Sequence, residues 1–421
     1  MRKINLETLL LFDNIRKDEI INGAVKIFNE FLYRDYIAYM EPDYYAVQRM
    51  LLNQTQSEDI EGSYWQNYIC RLVAESENRF SLDSESGRKD PRVLALAVKE
   101  LEEIKELFHL DWNKIASVFG DAGTAVSSMI CRADGSHGRN QISQALLAED
   151  LNASVEQLYQ YYHQYCSGPF EQYQAFLWNG ELVGIQDFDA VSFDHLIGYA
   201  RQKAALIENT EFFLQGLPAN NALLYGDKGT GKSSCIKALI RRFSDQNLKI
   251  IELSKEDMSD LYKILGKISK RGCKFILFVD DLSFDETELG YKQFKSILEG
   301  GVEAQPANVV VYVTSNRRNL VKENWSDRSG SAGEVNLHDG IQERQSLADR
   351  FGLTITFLSP DQQAYLEIVR GLAEQKGLFL DDHDLVREAE KWELKHHGRS
   401  GRSARQFVNY IAAKTQRSKP E

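Results

Sequence analysis

The residues best able to do chemistry in this 421-residue chain lie between Asn221 and Leu239. There, Gly226-Asp227-Lys228-Gly229-Thr230-Gly231-Lys232-Ser233 spells G-x4-G-K-S, followed by Ser234. Glycines at these positions let the backbone wrap an anion and turn consecutive N–H groups toward its oxygens. A helix starting at Ser233 adds the positive end of its dipole. Lys232 supplies a mobile charge for β- and γ-phosphates, and the Ser233 hydroxyl is a ligand type suited to Mg²⁺. The pattern needs a strand before it and a helix after it. The apolar run Ala222–Tyr225 and the segment Ser233–Arg241 read as that pair. An ordinary glycine-rich turn is the alternative, and this context counts against it.

A second group of polar residues sits at the ends of apolar runs. Lys274–Val279 is followed by Asp280 and Asp281. A carboxylate at a strand tip can hold Mg²⁺, so Asp280 is assigned to the metal; Asp281 is the candidate for polarising an attacking water. Asp also closes turns, which is the competing reading for both, Asp281 more than Asp280. Val309–Thr314 leads into Ser315-Asn316, placing Asn316 to touch a γ-phosphate or the water, or simply to close a turn. Arg350, in Asp349-Arg350-Phe351-Gly352, precedes the last apolar run. Its planar guanidinium suits charge on a transferring phosphoryl group of a neighbouring subunit, with an intrachain ion pair as the alternative. Arg405 opens a C-terminal helix. It either reaches back to a nucleotide, ends a solvated basic helix, or joins Lys395, Arg399, Arg402, Lys414 and Arg417 in a nucleic-acid patch.

These positions imply a scaffold. Val309–Val313, Lys249–Leu253, Lys274–Val279, Leu353–Phe357 and the run before the loop give five strands separated by helical segments. That alternation calls for a parallel sheet covered on both faces. Upstream, the chain reads as mainly helical. In Pro91–Leu110 the apolar residues recur at three- and four-residue steps, and Gln141–Tyr165 repeats the pattern. Gly120–Gly138 reads as a break. Asn179-Gly180 between Ala175–Trp178 and Glu181–Ile185 signals a hairpin. The domain junction is placed just after it, near Gln186–Ala190, giving a helical region 1–189, an α/β core 190–359 and a helical segment 360–421.

Composition narrows the partners. The formal net charge is −12, which counts against non-specific binding to nucleic acid or to an anionic membrane. No run is apolar for long enough to read as a signal peptide or membrane span. The five cysteines, Cys70, Cys131, Cys166, Cys235 and Cys273, contain no C-x-x-C pair and read as free buried thiols in a reducing cytoplasm. The tyrosines Tyr33, Tyr36, Tyr39, Tyr44 and Tyr45 suit core packing more than a partner surface, and His137 and His163 stand without a ligand partner at metal spacing.

Taken together, GDKGTGKS, FILFVDD, TSNRR, DRFG and GRSARQ resemble the Walker A, Walker B, sensor 1, arginine-finger and sensor 2 segments of the AAA+ ATPase superfamily, over about Val191–Tyr410. More narrowly, LIGYARQK, NTEFFLQGLPANNALLYGDKGTGKSS, FVDDLSF, LEGG, YVTSNRR and SLADRFGL resemble the bacterial DUF815 group. The resemblance implies a P-loop core with a C-terminal helical lid, ATP and Mg²⁺ as ligands, Ile197 and Gly198 beside the adenine, and Arg405 coupling the lid to the nucleotide. It also implies a homo-oligomer acting on a partner macromolecule, with the N-terminal region recruiting a protein. Two departures stand out. Most Walker B segments end Asp-Glu, whereas Asp280-Asp281 is one methylene shorter. Ser254–Tyr262 lacks the aromatic-Gly pair of protein-threading members. Both leave open a nucleotide-dependent switch with slow turnover. The basic C-terminal stretch keeps a DNA-linked remodeller as a third alternative.

Overall fold

A computed structural model gives the fold for residues 2–33, 37–54, 60–131, 138–186, 188, 191–283, 289–298, 305–317, 347–378, 381–396 and 398–417. The chain divides into two compact units: Met1–Gln172 with Arg271–Cys273, and Tyr173–Lys270 with Lys274–Glu421. The division falls ahead of the expected junction near Gln186–Ala190, because the hairpin belongs to the second unit rather than the first.

The first unit is helical. Its longest helices are Ile37–Gln54 and Pro91–Phe108. Pro91–Phe108 starts where Asp90 accepts the Arg92 N–H and Pro91 supplies a preset φ. Its repeating apolar face buries Ala97, Leu101, Ile104 and Leu107. On the same helix the buried Glu100 carboxylate accepts backbone N–H groups of Leu10 (2.9 Å), Leu11 (3.0 Å) and Phe12 (3.2 Å), fixing the N-terminal segment to the core. The pattern over Gln141–Tyr165 resolves into two helices, Arg139–Leu147 and Leu151–Tyr165, because Asp150 caps the second. Within the expected break, Ile130–Cys131 (β2) pairs with Gly62–Ser63 (β1). Tyr44 is buried and stacks on Phe119 at 4.6 Å, as packing requires, while Tyr39 is 79% exposed. Tyr36, His137 and the Tyr33 side chain lie outside the described residues.

Arg271–Cys273, from far along the chain, fold with this unit. The Arg271 guanidinium donates to both Glu85 carboxylate oxygens (2.9 and 2.7 Å), to Glu77 (2.6 Å) and to the Ser167 carbonyl (2.7 Å). Cys166 and Cys273 form a disulfide. This corrects the expectation of free thiols for these two; Cys70 and Cys235 are free and buried, as expected. A pair separated by 107 residues leaves no spacing signal in the sequence. Glu85 lies close enough to both sulfurs to suggest a metal site, but its oxygens are already engaged by Arg271.

The second unit is built on a seven-stranded sheet. The strands are Ala175–Trp178 (β3), Leu182–Gly184 (β4), Ala222–Gly226 (β5), Leu248–Leu253 (β6), Lys274–Val279 (β7), Val309–Ser315 (β8) and Leu353–Phe357 (β9), ordered β4-β3-β6-β7-β8-β5-β9. The five expected parallel strands are all present. The hairpin forms as the Asn-Gly signal indicates, Trp178 facing Leu182, and β3 then adds to the sheet parallel to β6. Strands buried on both faces carry unbroken apolar runs, as β7 and β8 do. After β9, helices Gln362–Gln375, Asp382–Lys395 and Gly401–Arg417 pack around their own core of Tyr365, Ile368, Leu385, Phe407 and Val408. The second unit is thus a mostly parallel α/β core followed by a C-terminal group of helices.

Candidate nucleotide-binding site

The loop after β5 is shaped by its backbone. Gly226 has φ 135°, and a Cβ there would lie 2.0 Å from the Phe357 carbonyl oxygen, so only glycine lets the chain leave β5 beside β9. The Asp227 N–H donates to that carbonyl (2.9 Å), and the Asp227 carboxylate accepts the Ser359 N–H (2.6 Å), which lowers its pKa. The helix Lys232–Arg242 begins directly after Gly231 and aims its N-terminus at the loop.

Lys232 is only 7% exposed. Its ammonium donates to the carbonyls of Gly226 (2.9 Å) and Asp227 (2.8 Å) and to Asn316 Oδ1 (3.3 Å). Desolvation lowers its pKa, opposed by Asp281, Asp227 and Asp280. The Ser233 hydroxyl donates to Asp280 Oδ1 (2.5 Å). The same carboxylate oxygen accepts from Thr314 Oγ1. Asp281 has a left-handed backbone (φ 48°), its N–H donates to Thr314 Oγ1 (2.9 Å), and its carboxylate accepts from the Asn316 amide. The sheet explains this meeting. β8 lies between β5 and β7, with Tyr225 opposite Ser315 and Val279 opposite Val313, so the three strand ends bring Lys232, Asp280–Asp281 and Asn316 to one edge.

A cavity of about 610 Å³ opens at that edge. Its walls include the expected Ile197, Gly198, Lys228, Gly229, Thr230, Gly231, Lys232, Ser233, Ser234, Asp280, Asp281, Asn316 and Arg405. Gly226 and Asp227 shape the loop without lining the cavity, and exposed Arg350 does not line it, standing ahead of edge strand β9. Ile197 reaches the lid because Gly371 has no side chain; a Cβ there would lie 2.4 Å from Ile197 Cδ1. The apolar wall is completed by Ile368 and Leu372, one turn apart on the lid helix, and by Tyr199, whose hydroxyl donates to the Leu358 carbonyl (2.7 Å). Arg402 joins Arg405 at the mouth, its N–H donating to the Gly229 carbonyl (3.1 Å). Sequence reasoning missed Thr314, Arg402, Tyr199, Ile368 and Leu372. Thr314 and Arg402 stand inside motifs already singled out; the aliphatic pair carries only ordinary helix periodicity.

The arrangement suits a nucleoside triphosphate with Mg²⁺. A buried lysine and a helix N-terminus offer partners for anionic oxygens, two carboxylates and a hydroxyl offer hard oxygen ligands, and Ile197, Ile368 and Leu372 supply apolar lining. Residues 171–415 match the model of a protein family of unknown function, DUF815. The chain belongs to the DUF815 family. A comparison with curated proteins finds no match. Solved structures similar to this DUF815 chain include the Thermotoga maritima RuvB Holliday junction branch migration motor, at 17% identity and a TM-score of 0.38. That match covers 53% of this chain and 65% of the motor's chain. A single-substitution mutant of the same motor matches at 15% identity and a TM-score of 0.39, covering 54% of this chain and 67% of that one. Among the described residues, no helix is long and apolar enough to cross a membrane.

Proposed function

We propose that this chain binds ATP with Mg²⁺ and hydrolyses it, coupling the nucleotide cycle to a conformational change in a partner macromolecule. The observation that carries the reading is the convergence of Lys232, Ser233, Asp280, Asp281 and Asn316 on one cavity that also contains Arg402 and Arg405 from the lid. Two loop carbonyls hold the Lys232 ammonium within the loop, where it would meet phosphate oxygens. Ser233 and Asp280 share a hydrogen bond and form the natural Mg²⁺ position; the ion would neutralise phosphate charge. Asp281 would draw the proton from the attacking water, and Asn316 orients the Asp281 carboxylate. Ile197, Ile368 and Leu372 exclude water from the base side. Arg405 would report the nucleotide to the lid, and Arg350, exposed at the sheet edge, would serve the site of a second copy.

A slow nucleotide switch is the second reading. It is favoured by the Asp281–Asn316 hydrogen bond, which occupies the carboxylate expected to activate water. Binding and turnover separate the two. Titration with a fluorescent ATP analogue, with and without Mg²⁺, should show saturable binding in the wild type and none in Lys232→Ala. Equal binding by both proteins contradicts the nucleotide site itself. Binding without turnover, with or without candidate partners, selects the switch.

A further inference from the structure

Thr314 stands at the end of β8 and is 1% exposed, yet its hydroxyl is used twice. Its hydrogen goes to Asp280 Oδ1 and a lone pair accepts the Asp281 N–H at 2.9 Å. One side chain thus joins the carboxylate of one acidic residue to the backbone of the next. A hydroxyl, with one donor and two acceptor sites, can serve both at once; no aliphatic side chain of the same shape can.

The surrounding bonds show what this junction holds. Asp281 adopts a left-handed backbone (φ 48°), a conformation that Asp tolerates better than most side chains and that the surrounding hydrogen bonds hold here. The Leu282 N–H donates to the Thr314 carbonyl at 2.8 Å, and the Ser315 hydroxyl donates to the Leu282 carbonyl at 3.0 Å. The turn after β7 is therefore stitched to the end of β8, and the Thr314 hydroxyl is the stitch at Asp281 itself. That turn decides where the Asp281 carboxylate points. On the other side, Asp280 Oδ1 accepts from both Ser233 and Thr314, so Thr314 fixes the rotamer of the carboxylate that shares the Ser233 hydroxyl.

We infer that Thr314 is a positioning residue that sets the orientation of both acidic groups at once, Asp280 toward the cation and Asp281 toward water. The inference rests on the reading of the site as a Mg²⁺-nucleotide site. Its hydroxyl is bonded to the two aspartates, and Thr314 acts through them.

The test compares Thr314→Val, Thr314→Ser and wild type in the full chain. Two readouts are taken: steady-state ATP hydrolysis, and the Mg²⁺ concentration giving half-maximal binding of a fluorescent ATP analogue. Thr314→Val should lower kcat and raise the Mg²⁺ midpoint, each by about 10-fold, as loss of an outer-shell partner does, with KM for ATP within about 3-fold. Thr314→Ser keeps the hydroxyl and should stay within about 3-fold of wild type in both. Should Thr314→Val not fold, Thr314→Ala is read in its place. Wild-type values in the hydroxyl-free variant overturn the inference, as does a serine variant as impaired as valine. If the wild type binds Mg²⁺-nucleotide but does not hydrolyse it, the ATPase reading fails while the Mg²⁺ midpoint still decides the role of Thr314. A wild type that binds no nucleotide overturns both.

Discussion

At the scale of single residues, the site is a set of charges already partnered within the chain. Lys232 rests on two carbonyls and Asn316, and burial lowers its pKa from the ordinary lysine value. The ammonium is present below the depressed pKa and lost as pH rises through it, while phosphate in the loop would favour the charged form. Affinity for ATP should therefore fall with rising pH, beginning below the ordinary lysine value of 10.5, and binding in that window should take up a proton. Calorimetry in two buffers of different ionisation enthalpy measures that proton. Affinity that stays flat through 10.5 would mean that the lysine charge does not hold the phosphates. The same residues show what sequence could reveal. Lys232, Ser233, Asp280 and Asn316 were legible because their types and spacings are tied to one chemistry. Thr314 was not, because a threonine in a strand is ordinary; only its two simultaneous hydrogen bonds distinguish it.

At the scale of elements, the loop depends on how β5 leaves the sheet. Gly226→Ala would push a methyl group into the Phe357 backbone, which cannot move without displacing β9. We expect a loss of about 3 kcal/mol or more in folding stability, together with loss of nucleotide binding, since steric conflict and a φ of 135° act together. Chemical denaturation of the variant checks this; a midpoint equal to wild type would show that the loop relaxes freely. The elements themselves were largely legible. Five strands appear where the apolar runs lie, within one or two residues at their ends. The hairpin was also legible, but its sheet was not. Its Asn-Gly turn is local, whereas the pairing of β3 with β6 joins residues far apart in sequence and has no signature in either strand. That pairing groups the hairpin with the second unit.

At the scale of the whole molecule, the chain folds as two compact units. The second unit holds every residue of the candidate site, and its sheet brings motifs dispersed over Ile197–Arg405 to one cavity. The first unit is closed partly by a covalent bond. Cys166 and Cys273 join a loop of 107 residues, and losing such a crosslink costs about 2–5 kcal/mol. Non-reducing peptide mapping should recover the linked pair, and Cys166→Ser should lower the unfolding midpoint. Full alkylation of both thiols in unreduced, unfolded protein would contradict the bond. No sequence pattern announced it, because disulfide partners are chosen by the fold and not by spacing. Arg271, whose guanidinium reaches Glu85, Glu77 and Ser167, was equally invisible, since an isolated arginine in a polar loop has no periodic context.

We propose an ATPase whose site is completed by a second copy of the chain. Steady-state ATP hydrolysis across a protein concentration series tests it most directly, with Lys232→Ala and Arg350→Ala alongside. Specific activity should rise steeply with concentration, be absent in Lys232→Ala, and be abolished in Arg350→Ala while ATP binding is retained. Specific activity independent of concentration, with Arg350→Ala as active as wild type, would contradict it.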